Sequence, residues 1–404
     1  MKLIVGYNFD LKLLERLSNI PEVKEVYGKM STDYIGGGRS NYTLKYVGQK
    51  ELSASVEKTH KLNLEFNYLL NAACLYGIEQ TKVGQRRIRN SLDKLSEIGV
   101  DSITVASPYL LRLIKSQYPQ FKVKVGAFAV VDSAFKAHQW QEMGADVLCI
   151  SAIACNRNFE TLQAIRSAVT CECMLIANAS CIQSCPLELT HMHILSNSSR
   201  KGDPLNGFCF DYCFLHCSKK RLADPVNYLR SVWIRPEDLN FYEALGYSSF
   251  KIVERSCPTD LIVKRTLAYS SRSFDGNLLE LVGQVASIKK ELNASIFQRL
   301  RMLKILFKPS KVKIRSLLLF KKYAEQVIMH DYEKNSSSIY IDNKKLNGFL
   351  DGLKKRNCAS YKCPGCNYCK SFVRKAIRIN GYYRSSALKN AEKLDQGLFT
   401  GKHW

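Results

Sequence analysis

The chain has 404 residues, 46% of them hydrophobic and 24% charged, which is ordinary for a folded protein and leaves no room for collagen-like or wholly disordered classes. No uncharged apolar run approaches the roughly 20 residues needed to cross a bilayer, and the opening run Met1–Tyr7 is too brief for a secretory leader, so a cytoplasmic protein without disulfides is expected. The net charge of +24 is uneven: residues 1–285 hold 34 Lys/Arg against 28 Asp/Glu, whereas residues 286–404 hold 26 against 8, a net of +18 that favours RNA or another polyanionic partner.

Through residue 285, short β-rich runs alternate with helical ones. The strands expected are Leu3–Gly6, Glu25–Gly28, Leu64–Leu70, Ser102–Ala106, Lys122–Phe128, Val147–Ser151, Glu172–Asn178, Val232–Arg235 and Phe250–Val253. Between them, Arg87–Ile98 repeats Ile88, Leu92, Leu95 and Ile98 at helical spacing, and Ser133–Met143, Phe159–Val169 and Pro236–Leu245 behave alike. Gly99 and Gly144 stand where a helix would stop before the next strand. Repeated strand–helix units imply parallel strands with right-handed crossovers. Eight or nine units suit a (β/α)8 barrel, whose usual size is about 250 residues; a doubly wound open sheet is the alternative. The Gly36-Gly37-Gly38 run after the second strand reads as a flexible βα loop or a phosphate cradle.

The pattern changes from Gly283. A basic helical stretch, Ile288–Phe307, is broken at Lys308-Pro309-Ser310; Val312–Leu319 and Ser338–Ile341 read as strands, and a basic helix is expected over Phe372–Ile379. The expected organisation is thus a barrel-like domain, 1–285, followed by a smaller basic α+β module, 286–404.

Cysteines mark both parts. Cys181 and Cys185 follow the apolar seventh strand, and Cys185-Pro186 leads into a helix over Leu187–Leu195. After a polar loop come Cys213 and Cys217, with Cys209 as an alternate. Two Cys-x3-Cys pairs supply four thiolates, suited to a 4Fe–4S cluster or tetrahedral zinc. The Phe-, Leu- and Ile-rich surroundings and the position past a strand's carboxyl end favour iron–sulfur; buried free thiols are the plain alternative. His191 and His193 stay outside this ligand set. Near the C-terminus, Cys358-x4-Cys363-x2-Cys366-x2-Cys369 packs four thiols into twelve residues, a spacing that fits a second iron–sulfur cluster or zinc. Arg356, Lys362, Lys370, Arg374 and Lys375, with Tyr361 and Tyr368, surround it as a nucleic-acid patch or as charge balance for the centre. Lys251 and Arg255, at the last strand's carboxyl end, are candidates for binding an acidic substrate; Arg235 and Glu254 could form an ion pair there.

The runs Ile234-Arg235-Pro236-Glu237-Asp238-Leu239, Tyr242-Glu243, Leu245-Gly246 and Phe250-Lys251-Ile252-Val253-Glu254-Arg255, continued by Ala268-Tyr269 and Asp275-Gly276-Asn277-Leu278, resemble peptidase family U32, the collagenase-like peptidases. The resemblance spans roughly 1–285 and is most specific over about 170–285. It implies a barrel-like αβ domain holding a 4Fe–4S cluster. It also implies one of several activities: peptide processing, oxygen-independent hydroxylation of tRNA or ribosomal RNA, or support of hydroxylation in ubiquinone synthesis. A non-catalytic iron–sulfur partner of another enzyme fits the cysteines equally. The sequence has no His-Glu-x-x-His and no Gly-x-Ser-x-Gly. It departs from the family pattern at Ala177-Asn178-Ala179-Ser180, which lacks a glycine–small–aliphatic run. It departs again at Val253-Glu254, where relatives have Glu-Gly.

Overall fold

The computed structural model describes residues 1–39, 45–203, 210–283, 313–328, 338–356, 358, 363 and 365–404. Eight parallel strands close into a barrel in chain order: β1 (Lys2–Gly6), β2 (Val23–Gly28), β3 (Glu65–Leu70), β4 (Ser102–Val105), β5 (Lys122–Val125), β6 (Val147–Cys149), β7 (Glu172–Ile176) and β8 (Ser249–Ile252). Closure is the β1–β8 pairing, with Leu3 beside Phe250 and Val5 beside Ile252. The barrel is therefore the closed (β/α)8 form, and the open sheet is excluded.

Strand side chains alternate between two environments. Leu3, Val5, Phe66, Ile103, Val123, Leu148, Leu175 and Phe250 face outward into the core shared with the surrounding helices. Ile4, Tyr27, Leu69, Val147, Cys149 and Met174 fill the inside. The inside also holds a polar layer. Lys124 Nζ pairs with Glu25 Oε2, Asn67 Nδ2 donates to Glu25 Oε1 at 3.2 Å, and Thr104 Oγ1 donates to Asn67 Oδ1 at 2.8 Å, all fully buried. The helices start on the side chains that favour N-caps: Asp10, Thr81, Ser133 and Asn158 each accept from an N–H in the first turn. Gly99, at φ 82°, ends the helix Lys82–Ile98 as expected, its N–H returning to Leu95 and Ser96.

One expected strand is absent from the ring. β7 pairs directly with β8, Ile176 beside Lys251, so Val232–Arg235 has no place between them. That segment instead runs along the outside of the chain leaving β7: Ile234 N–H donates to Ala177 O at 2.7 Å, Val232 N–H donates to Cys181 O at 2.9 Å, and Ser231 bridges Ile182 in antiparallel sense.

The boundary expected near 285 lies where the described residues stop at Gly283 and resume at Lys313, and the stretch Ile288–Phe307 with its Pro309 break lies outside them. Ile314–Ile328 is a helix where a strand was expected from 312 to 319. Leu317, Leu318 and Leu319 are good helix formers, and Leu319, Tyr323 and Val327 recur every four residues to meet the core. β9 (Ile339–Ile341) pairs antiparallel with β10 (Ile377–Ile379). The helix expected to reach Ile379 stops at Ala376, where Ile-Arg-Ile alternation takes over. A long helix, Gly381–Phe399, follows. One apolar core joins this module to the barrel wall, drawing Phe214, Leu229, Trp233 and Leu279 from one side and Tyr323, Phe349, Ala387 and Leu394 from the other. Among the described residues no helix is long and apolar enough to cross a membrane.

Candidate functional site at the barrel mouth

The chain leaving β7 is fixed before it reaches the cysteines. Asn178 Nδ2 donates to Val253 O (3.0 Å) and Leu281 O (3.2 Å), and its Oδ1 accepts from Val253 N–H (2.7 Å), which ties the carboxyl ends of β7 and β8 together. Cys181 follows, held by the hydrogen bond from Val232, and Ser184, in the left-handed region at φ 51°, turns the chain into Cys185. Cys213 and Cys217 lie one turn apart on the helix Tyr212–Ala223, capped by Asp211, whose Oδ1 accepts from Phe214 N–H at 2.8 Å. Arg221, one turn further, donates to Cys217 Sγ at 3.6 Å and to the carbonyl of Ser180, beside Cys181. A single guanidinium therefore links the two thiol-bearing segments.

Burial pushes the Cys181 and Cys213 thiols up to about 12, and Cys217 upward as well. The charges of Cys185 and Cys217 act on both Cys181 and Cys213, and that of Cys185 on Cys217, so all four sulfurs occupy one neighbourhood. As the side chains stand, no three His, Cys, Asp or Glu among the described residues are arranged to hold a metal ion. The donor set nevertheless suits one. Four neighbouring thiolates, one buried and three half-buried, would repel each other, and a cationic inorganic core is the group that removes that cost. Cys209 lies outside the described residues. His191 Nε2 meets Asp211 Oδ2 at 3.0 Å, beside the thiol helix, while His193 is exposed.

At the carboxyl end of β8, the neighbour of β7, the barrel mouth is cationic. Lys251 points inward from β8, its Nζ 3.9 Å from the centre of the Tyr27 ring. Burial holds its pKa below the usual lysine range, partly countered by Cys149 and Glu25 and reinforced by Lys124 and Arg255. Burial likewise lowers Arg255, to about 10, and its Nη2 meets no hydrogen-bond partner among the described residues. Neither group has a carboxylate partner there, whereas Arg39 pairs with Glu254 at 2.6 Å and Lys29 with Asp33 at 2.8 Å. Asp33 also accepts from the N–H groups of Ile35 and Gly36 and from Tyr68. The triple glycine is thereby a packed loop: a Cβ on Gly36 would stand 2.6 Å from Ser196 O, and one on Gly37 would crowd Lys29 and Asn71. Asn71 Oδ1, beside it, is buried without a partner among the described residues.

The expected Arg235–Glu254 pair does not form. Arg235 is buried against the C-terminal module, donating to Asn343 Oδ1 (3.0 Å) and Asn347 Oδ1 (2.7 Å) with Glu237 at 3.2 Å, and Glu254 serves Arg39. Sequence reading missed Lys29, Arg39, Asp33 and Arg221. The rule that singled out Lys251 and Arg255, charged residues just past a barrel strand, applies equally to Lys29 at the end of β2, and Arg221 sits at helical spacing from Cys217. Of the terminal group, Cys358, Cys363 and Cys369 are partly buried and Cys366 is exposed. Tyr368 is not free to stack on a base, because Phe349 lies parallel to its ring at 5.7 Å and Arg356 covers it at 4.0 Å. Tyr361 lies outside the described residues.

Fold and site together define a (β/α)8 barrel with thiols and cations around the carboxyl-end mouth, Lys251 and Arg255 having no carboxylate partner among the described residues. The chain belongs to peptidase family U32, whose model matches residues 33–275. It is 28% identical over 347 residues to an uncharacterized protease of Methanocaldococcus jannaschii, covering 86% of this chain and 87% of that one. Its fold is similar to the solved structure of the U32 peptidase Mk0906, at 22% identity and a TM-score of 0.46 over 62% of this chain and 92% of that one.

Proposed function

We propose that this is an iron–sulfur enzyme that hydroxylates RNA or another macromolecule without molecular oxygen. The observation that carries the reading is that Cys181 and Cys185, with Cys213 and Cys217 beside them, follow β7, while Lys251 and Arg255, without a carboxylate partner among the described residues, mark the carboxyl end of its neighbour β8. In this reading those four cysteines would hold a 4Fe–4S cluster, which would supply reversible one-electron transfer during the exchange. Lys251 and Arg255 bind an anionic organic hydroxyl donor by its carboxylate or phosphate, and the lining of Tyr27, Leu69 and Met174 keeps bulk water from the barrel interior. The reaction balances as a transfer: the donor's C–O bond and the acceptor's C–H bond break, and the acceptor's C–OH bond and the donor's C–H bond form, with no external electrons. The basic module presents the macromolecule through its phosphates.

The test is anaerobic purification with iron, sulfide and zinc quantified per chain, coupled to mass spectrometry of RNA nucleosides from cells with and without the gene. The expected result is a brown protein that loses one cluster's worth of iron and sulfide in Cys213→Ser/Cys217→Ser. One nucleoside should also lose the mass of an oxygen atom when the gene is removed. Zinc at the barrel mouth, or an unchanged nucleoside profile together with metal-dependent cleavage of a peptide library, would overturn the reading in favour of peptide processing. A bound cluster with neither activity would overturn it in favour of a partner protein for another enzyme.

A further inference from the structure

We propose that Cys358, Cys363, Cys366 and Cys369 bind a second thiolate-ligated metal centre, zinc or iron–sulfur, held against the barrel wall by Arg157 and Arg230. This goes beyond the barrel-mouth reading and does not depend on it. Cys366 N–H donates to Cys363 O at 3.1 Å, closing a tight turn in which Gly365, at φ 84°, adopts the left-handed conformation that favours glycine. Such a turn brings two cysteines three apart onto one side. Cys369 enters from the first turn of the helix Tyr368–Ala376, where the helix dipole and free N–H groups favour a thiolate. Cys358 comes from the other end of the loop and packs on the shared core. The charges of Cys363 and Cys366 act on Cys358, and those of Cys358 and Cys363 act on Cys369, so the four sulfurs share one neighbourhood. The side chains as placed do not form a closed ligand set; the metal is what would draw them together.

The independent observation comes from the barrel side. Arg157 is only 5% exposed, stacks over Trp233 at 4.5 Å, and donates to Ser231 O and Trp233 O. Its Nε, like that of Arg230, is buried with no partner among the described residues, and neither arginine forms an ion pair there. Both guanidiniums act electrostatically on Cys369, and Arg157 also on Cys358. A buried guanidinium N–H without an acceptor is costly, and Asp238, the carboxylate on which Arg157 acts, takes no hydrogen bond from that Nε among the described residues. A tetrathiolate centre carries net negative charge and sits where these two cations need it.

The experiment uses the full chain, purified anaerobically, in three forms: unmodified, Cys363→Ser/Cys366→Ser, and Cys213→Ser/Cys217→Ser. Elemental analysis is expected to show that the first double variant loses one zinc, or one cluster's worth of iron and sulfide, while keeping the barrel-mouth metal; the second double variant should do the reverse. Zinc and iron–sulfur both uphold the proposal and are told apart by the element that disappears. A terminal double variant with the metal content of the unmodified chain would overturn it. Should that variant not fold, native iodoacetamide labelling of the unmodified chain decides. The exposed Cys366 should alkylate many-fold faster after chelation, and equal rates before and after chelation would refute the centre.

Discussion

At the scale of single residues, the barrel interior holds more charge than a structural core requires. Removing one member of the Glu25–Lys124 pair leaves the other charge buried and uncompensated. Lys124→Met alone is therefore expected to cost about 3–5 kcal/mol in chemical denaturation, and Glu25→Leu/Lys124→Met together far less. Lys251 differs, having an aromatic face in place of a carboxylate. Lys251→Met should weaken binding of inorganic phosphate by about tenfold or more while leaving the fold intact. The pH dependence has a definite sign. Because the folded-state pKa lies below the ordinary 10.5, anion binding is present below that depressed pKa and falls away as pH rises through it, and titration calorimetry across alkaline pH would show this. Stability moves oppositely: the unfolded chain binds the proton more tightly, so the cost of burying Lys251 is relieved between the depressed pKa and 10.5. Cys149, Glu25, Lys124 and Arg255 set how far that window extends. Binding that is flat over the range would remove Lys251 from the site.

At the scale of elements, the end of β8 carries backbone strain. Glu254 holds a left-handed backbone conformation, φ 92°, which glycine adopts without strain. That costs roughly 1–2 kcal/mol for a residue with a Cβ. The ion pair with the partly exposed Arg39 offsets it. Glu254→Gly is expected to change stability by less than about 2 kcal/mol in either direction, because strain is relieved as the ion pair disappears. It should also tighten phosphate binding by freeing Arg39; weaker binding would show that Glu254 positions Arg39 and does not mask it. Much of the fold was legible in advance. Eight of the nine strands expected before residue 285 and the stops at Gly99 and Gly144 followed from periodicity and glycine placement, and cysteine spacing marked the segments that bear the barrel-mouth thiols. The remainder depended on partners distant in sequence. Val232–Arg235 has strand composition but finds β7 already paired to β8, and the side-chain choice of Arg235 was settled by Asn343 and Asn347, more than a hundred residues away.

At the scale of the whole molecule, the charge asymmetry makes a solution prediction. If the module grips RNA, log affinity should fall linearly with log salt. Replacing the exposed Lys370, Arg374 and Lys375 by Gln should reduce that slope by about 0.7–0.9 for each phosphate left without its cation. A slope unchanged in the triple variant would move the RNA surface elsewhere on the module. The shared core that welds the module to the barrel makes rigid presentation the natural arrangement.

The segment from Ser231 to Arg235 acquires a meaning beyond its failure to join the ring. Its first residues splint the peptide that bears Cys181, and its last is clamped into the module by two asparagines. A displacement of the module is thus passed, through a few consecutive peptide bonds, to the loop that bears Cys181.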